Sequence, residues 1–223
     1  MEVARGNFLW RNIANIVSIL GVLPLALLFL DDGFRYLLPL IVYNNFMDDL
    51  DGILAAKLNI RSRFGANLDN VCDAVAHVAI ALAVGAHFGG WVMIASAIAA
   101  GSMILRVTSR VDPDGNSGNG SPTNELMRHL LLLSIVQGLY GFNITAYLSA
   151  VFVLNAVSML VPFAMPHLVR SRAKSASTVV MVNIVLLCAW LIPTTAPFIA
   201  AAFFGTYLYS FAAGGIGWLR KAQ

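Results

Sequence analysis

Four aspartates at helical spacings lie within 26 residues of this chain. Asp48 and Asp51 are three residues apart, and Asp69 and Asp73 are four apart. On a helix either spacing puts both carboxylates on one face. The stretch that holds them, FMDDLDGILAAKLNIRSRFGANLDNVCDAVAHV, is largely apolar. A carboxylate at the centre of a membrane helix costs about 2.5–3.5 kcal/mol even on a lenient scale, so four cost roughly 10–14 kcal/mol. They also repel one another, and divalent cations are what neutralises such a cluster. All-oxygen ligation suits Mg2+, Mn2+ or Ca2+ rather than zinc or copper. A single buried Asp serves well as a structural hydrogen-bonding group, but four together do not. DDLDG is not the start of an EF-hand, because the twelve-residue ligand pattern and its terminal Glu are missing.

Two helices joined by a short loop must position these acids. Asp51 lies six residues before Lys57 and Asp69 six residues after Arg63, each about 9 Å along a helix axis. Asp48 and Asp73 lie nine and ten residues from the same markers, about 14 and 15 Å. An antiparallel pair therefore sets Asp51 opposite Asp69 and Asp48 opposite Asp73, at shallow depth. Gly52, Ala55 and Gly65 flank the acids and leave room for a nucleotide against the backbone. Small residues also let membrane helices pack closely, which is the competing reading.

The rest of the chain reads as membrane helices. Of 223 residues 59% are hydrophobic and 11% charged, against about 25% charged in a soluble domain, and the mean hydropathy is +0.77. Eight candidate spans follow: 11–30, 34–57, 65–88, 89–110, 124–142, 144–166, 176–193 and 195–217, the last two split by a turn at Pro193 and Pro197. The expectation is an all-α polytopic transmembrane bundle forming a single domain over residues 1–223. The N-terminus lacks the look of a cleaved signal peptide, so the first helix is read as part of the mature protein.

With both termini cytoplasmic, 13 of the 14 Lys and Arg fall inside and only Arg35 outside. The inside group includes Arg5, Arg170, Arg172 and Lys174. The net charge of +3 is thus spread over loops and is no nucleic-acid footprint. The polar connector 111–125 reads as a flexible cytoplasmic loop, with Ser121 or Thr123 able to cap the next helix. Cys72 and Cys188 fall in apolar helical stretches and read as small buried side chains. Trp10, Trp91 and Trp218 lie near span ends as interfacial anchors.

Asp48-x2-Asp51-Gly52-x2-Ala55, then Gly65-x3-Asp69-x3-Asp73, resembles the signature of the CDP-alcohol phosphotransferases, D-x2-D-G-x2-A-R-x8-G-x3-D-x3-D. Every acidic and glycine position matches. The family's Arg is Ala56 here, and the adjacent Lys57 points about 100° away around the helix. The resemblance implies a CDP-linked lipid donor such as CDP-diacylglycerol, a small hydroxyl acceptor, release of CMP and a homodimer; the bias of the basic residues puts the site on the cytoplasmic face of the cytoplasmic (inner) membrane. It implies two divalent ions, Mg2+ or Mn2+, with Asp48, Asp51 and Asp69 as ligands and Asp73 as a ligand or the general base. Gly52, Ala55, Lys57 and Gly65 are then the donor-nucleotide residues.

Arg106 and Arg110 share a helix face and are candidates to grip an acceptor carboxylate or phosphate. Equally, they read as positive-inside anchors. Asn12-Ile13-Ala14-Asn15-Ile16-Val17-Ser18 looks like the Asn-rich start common in the family. The Arg that glycerophosphate users often carry three residues later is Gly21. Eight spans resemble the serine users, so L-serine is the expected acceptor, with glycerol phosphate or inositol phosphate as alternatives. His77, one turn beyond Asp73, reads as a supporting or packing residue. A cation or proton transporter using intramembrane carboxylates is the reading from another class. Its sites usually lie near the midplane on broken helices.

Overall fold

The computed structural model describes residues 8–112, 118–166 and 176–221, with side chains at all of these except 176–179. Arg5, Arg170, Arg172 and Lys174, which carry part of the orientation reading, lie outside the described residues. Among the described residues every regular element is a helix and there are no strands. A single turn, α1 (Phe8–Arg11), precedes α2 (Ile13–Val22). Next come α3 (Leu37–Lys57), α4 (Arg63–Phe88), α5 (Gly90–Val111), α6 (Asn124–Tyr140), α7 (Thr145–Leu160), α8 (Ala176–Leu191) and α9 (Ala196–Lys221). From α2 onward these coincide with the eight predicted segments. Arg63–Phe88, Gly90–Val111 and Pro193–Lys221 are long and apolar enough to cross a membrane; Ile13–Phe29, Thr145–Leu160 and Val180–Leu191 are shorter apolar helices. α3 has the length, at 21 residues, but carries the acids.

Local chemistry sets the helix ends. α2 tightens into a 3-10 helix over Leu23–Phe29, where Pro24 has no N–H for an α-helical bond. Ser62 caps α4 by accepting from the Gly65 N–H at 2.9 Å. The chain reverses between α4 and α5 through Gly89 (φ +66°) and Gly90 (φ +50°), a conformation that side chains disfavour. The expectation that Ser121 or Thr123 caps α6 fails: no side-chain cap bond forms there. Both hydroxyls are buried and have found partners on other helices, Ser121 with Ser158 at 2.7 Å and Thr123 with His77 at 2.9 Å.

α5 packs between α4 and α7 through small side chains, among them the buried Ala76, Ala95 and Ala99. A Cβ at Gly85 would stand 2.0 Å from the Ser96 hydroxyl, so only glycine allows this approach. The centre is filled by Phe152, Leu126, Leu130, Met103 and Ile80. Large apolar side chains also cover the outside: Trp91 and Phe198 are 80% and 79% exposed, as expected where the surrounding medium is itself apolar. Cys72 and Cys188 are free, half-buried thiols.

The C-terminal ends of α3, α5 and α7 meet the N-terminal ends of α4 and α6 at one end of the bundle. Contacts from Asn124 to Asp48, from Arg106 to Gly118 and Gly120, and from the Ser121 N–H to the Ser158 carbonyl join them.

Candidate active site

At that end the carboxylates converge. Ligand oxygens of Asp48, Asp51 and Asp69 all lie within 4.8 Å of one another, two from α3 and one from α4. Asp73 joins through Asp48, with which it is in hydrogen-bonding contact. The expected pairing of Asp48 opposite Asp73 is therefore present. Such close carboxylates repel strongly in a medium of low dielectric, and an all-oxygen donor set is what a hard divalent cation takes. The residues present fit such an ion.

Neighbouring polar groups hold the acids in place. Asp51 is buried, and the Ser18 hydroxyl on α2 donates to its carboxylate. Asn124, the first residue of α6, donates from Nδ2 to Asp48 Oδ2 at 3.0 Å. Neither supporting residue was singled out from sequence. Ser18 belongs to the Asn-rich start, but its partner is 33 residues away. Asn124 stands where the polar connector 111–125 meets the predicted span 124–142, and its partner is 76 residues away. Asp49, between two site acids, faces elsewhere and accepts from Asn183 on α8, which is also bonded to Asn45.

A cleft of about 240 Å3 opens beside the acids, bounded by Asn15 and Ser18 of α2, Asp51, Gly52 and Ala55 of α3, and Gly65 and Asp69 of α4. It shares Arg11, Asn15, Arg61 and Ser62 with a larger polar basin of about 680 Å3. The two glycines differ. A Cβ on Gly52 meets nothing within 4 Å, so this glycine faces open space rather than packing a helix. A Cβ on Gly65 would lie 3.1 Å from Asn15 Oδ1 and 3.2 Å from Ser62 Oγ, so Gly65 both lines the cleft and permits a close approach.

The basic residues are placed differently from one another. Lys57 is exposed, while Arg11 and Arg61 are the basic residues lining the cleft. Arg61 carries no motif position in the sequence and enters the site only through its place on the cleft wall. Arg106 is buried, and its guanidinium donates to the carbonyls of Gly118 and Gly120. Arg110, one turn further, lies within electrostatic reach of Asp69. The structure thus separates two arginines that the sequence had paired. His77 is 2% exposed and bonded to Thr123, which agrees with a supporting place.

A family model for CDP-alcohol phosphatidyltransferase matches residues 11–212. Comparison with individually curated proteins finds no match.

Proposed function

Since the chain belongs to the CDP-alcohol phosphatidyltransferase family, a family of membrane transferases of phospholipid synthesis, we propose that it moves a phosphatidyl group from CDP-diacylglycerol to the hydroxyl of L-serine. The observation that carries this reading is the meeting of Asp48, Asp51 and Asp69 beside a cleft that Gly52 leaves open. The acceptor oxygen attacks the phosphorus that bears the diacylglycerol, the new P–O bond forms, and the bond to CMP breaks. The hydroxyl proton passes to a carboxylate, and Asp73 is assigned this role.

Asp48, Asp51 and Asp69 would hold Mg2+ or Mn2+. Bound there, divalent ions supply charge neutralisation for the pyrophosphate and the leaving CMP. The chain's own residues bind and orient. Gly52, Ala55 and Gly65 give the nucleotide its place, and Arg61 and Arg11 face its phosphates in the role that Ala56 cannot fill. Arg110 is the candidate contact for the carboxylate of the acceptor. Gly21 stands where glycerophosphate users of the family often carry an Arg, and this favours serine over a glycerophosphate.

The site faces the cytoplasm in this reading, so that the lipid stays in the bilayer while serine enters from water. Transport is disfavoured because α3 and α4, which carry the acids, run unbroken.

The test is to incubate purified protein with CDP-diacylglycerol, Mn2+ or Mg2+ and a panel of serine, glycerol 3-phosphate and inositol phosphate, measuring CMP. Release with serine alone is expected, and it should stop when the metal is chelated. Release only with a phosphorylated acceptor would overturn the acceptor, and none with any would overturn the reaction.

A further inference from the structure

Arg106 is 8% exposed, and its guanidinium is committed to backbone. Nη1 donates to the Gly118 carbonyl and Nη2 to the Gly120 carbonyl, the latter at 3.0 Å. A planar fork can hold two carbonyls at once, whereas a lysine ammonium acts as a single point charge. The strap so held, Gly118–Ser121, is gripped from its other side by the end of α7. The Asn119 N–H donates to the Val161 carbonyl and the Ser121 N–H to the Ser158 carbonyl, each at 2.9 Å.

The fit is close enough to exclude side chains. A Cβ on Gly120 would stand 1.7 Å from the Ser158 carbonyl oxygen, and one on Gly118 would stand 2.7 Å from Leu160 Cα. The strap then leads straight into the site. Thr123 bonds His77 at 2.9 Å, and Asn124 donates to Asp48 Oδ2 at 3.0 Å.

We infer that Arg106 and the Gly118–Ser121 strap are a positioning device for Asn124, which in turn orients the Asp48 carboxylate as a metal ligand. The inference rests on the metal site of the reading above. A carboxylate turns freely about its last bond unless a donor fixes it, and such supporting donors commonly tune metal affinity. Asn124 supplies that donor, but only where the start of α6 is held. α6 is also anchored by its buried Leu126, Met127 and Leu130, so Arg106 contributes less than Asn124 itself.

The experiment is an Mn2+ titration of the detergent-purified full chain, followed by electron paramagnetic resonance, with the Kd measured per folded molecule. Asn124→Ala should weaken Mn2+ binding by about 10- to 100-fold. Arg106→Lys should weaken it in the same direction by less. The double variant should bind no worse than Asn124→Ala alone, because nothing remains for the strap to position. If Arg106→Lys does not fold, Arg106→Gln carries the same expectation. An unchanged Kd in Asn124→Ala or in the folded Arg106 variant, or full additivity of the two changes, overturns the inference, as does a wild-type chain that binds no Mn2+. A wild-type chain that binds Mn2+ and releases no CMP overturns the transferase reading and leaves this one in place.

Discussion

Ser18 on α2 donates its hydroxyl proton to the carboxylate of Asp51 on α3, and both residues are buried. The same cleft-lining stretch brings Asn15 against Gly65 of α4. α2 is thereby the third wall of a site whose acids come from the other two helices. Replacing Ser18 by Ala removes a support without removing a ligand. We expect CMP release to fall by about 10- to 100-fold with the fold intact. Full activity in Ser18→Ala would show that the bond does not orient Asp51.

Asp51→Asn and Asp69→Asn each remove a charged oxygen from the three-carboxylate group. Both variants should lose more than about 100-fold in CMP release, beyond the loss typical of supporting residues. Size-exclusion elution in detergent should be unchanged. Activity above a tenth of wild type in both would remove the metal site from the mechanism.

Gly52 and the space before it make a sharper test of the donor cleft. Leu at this position meets no atom within 4 Å of its Cβ and suits a helix better than Gly by up to about 1 kcal/mol. Gly52→Leu should therefore keep or raise Tm while raising the KM for CDP-diacylglycerol. A raised Tm with an unchanged donor KM would place the nucleotide elsewhere.

The phosphate contact separates Arg61 from Lys57. A charge-assisted contact is worth about 1.5–3 kcal/mol, roughly 10- to 150-fold in affinity. Arg61 lines the cleft and Lys57 does not, so Arg61→Ala should raise donor KM by that factor and Lys57→Ala should leave it near wild type. The reverse order would return the role to Lys57.

Orientation can be read by cysteine labelling in a background with Cys72 and Cys188 changed to Ser. Asn59 and Asn119 are exposed on connectors at the end of the bundle that holds the acids, and Asn143 is exposed on the connector between α6 and α7. Cysteines at 59 and 119 should react from the cytoplasm only, and one at 143 from the opposite side only. Labelling of Asn59→Cys from outside would invert the topology.

The helical spans and the acids were legible without coordinates because each rests on short-range pattern. Apolar runs of span length mark α4 and α5, and spacings of three and four residues put Asp48 with Asp51 and Asp69 with Asp73 on common faces. Counting from Lys57 and Arg63 even gave the pairing of Asp48 with Asp73, since an antiparallel helix pair has one rise per residue. What the sequence left open was settled by contacts between distant segments. Arg106 and Arg110 share a face of α5, yet the returning strap takes the first and leaves the second near Asp69. Ser121 and Thr123 have the chemistry of helix caps, but His77 and Ser158 reach them first. Gly52 and Gly65 are the same residue type beside the same acids, and only the neighbours show that one faces space and the other packs. A side chain's local preference is worth about 1 kcal/mol at a cap, while a buried polar group left unpaired costs about 1–3 kcal/mol. The partner supplied by the fold therefore decides where each of these groups points.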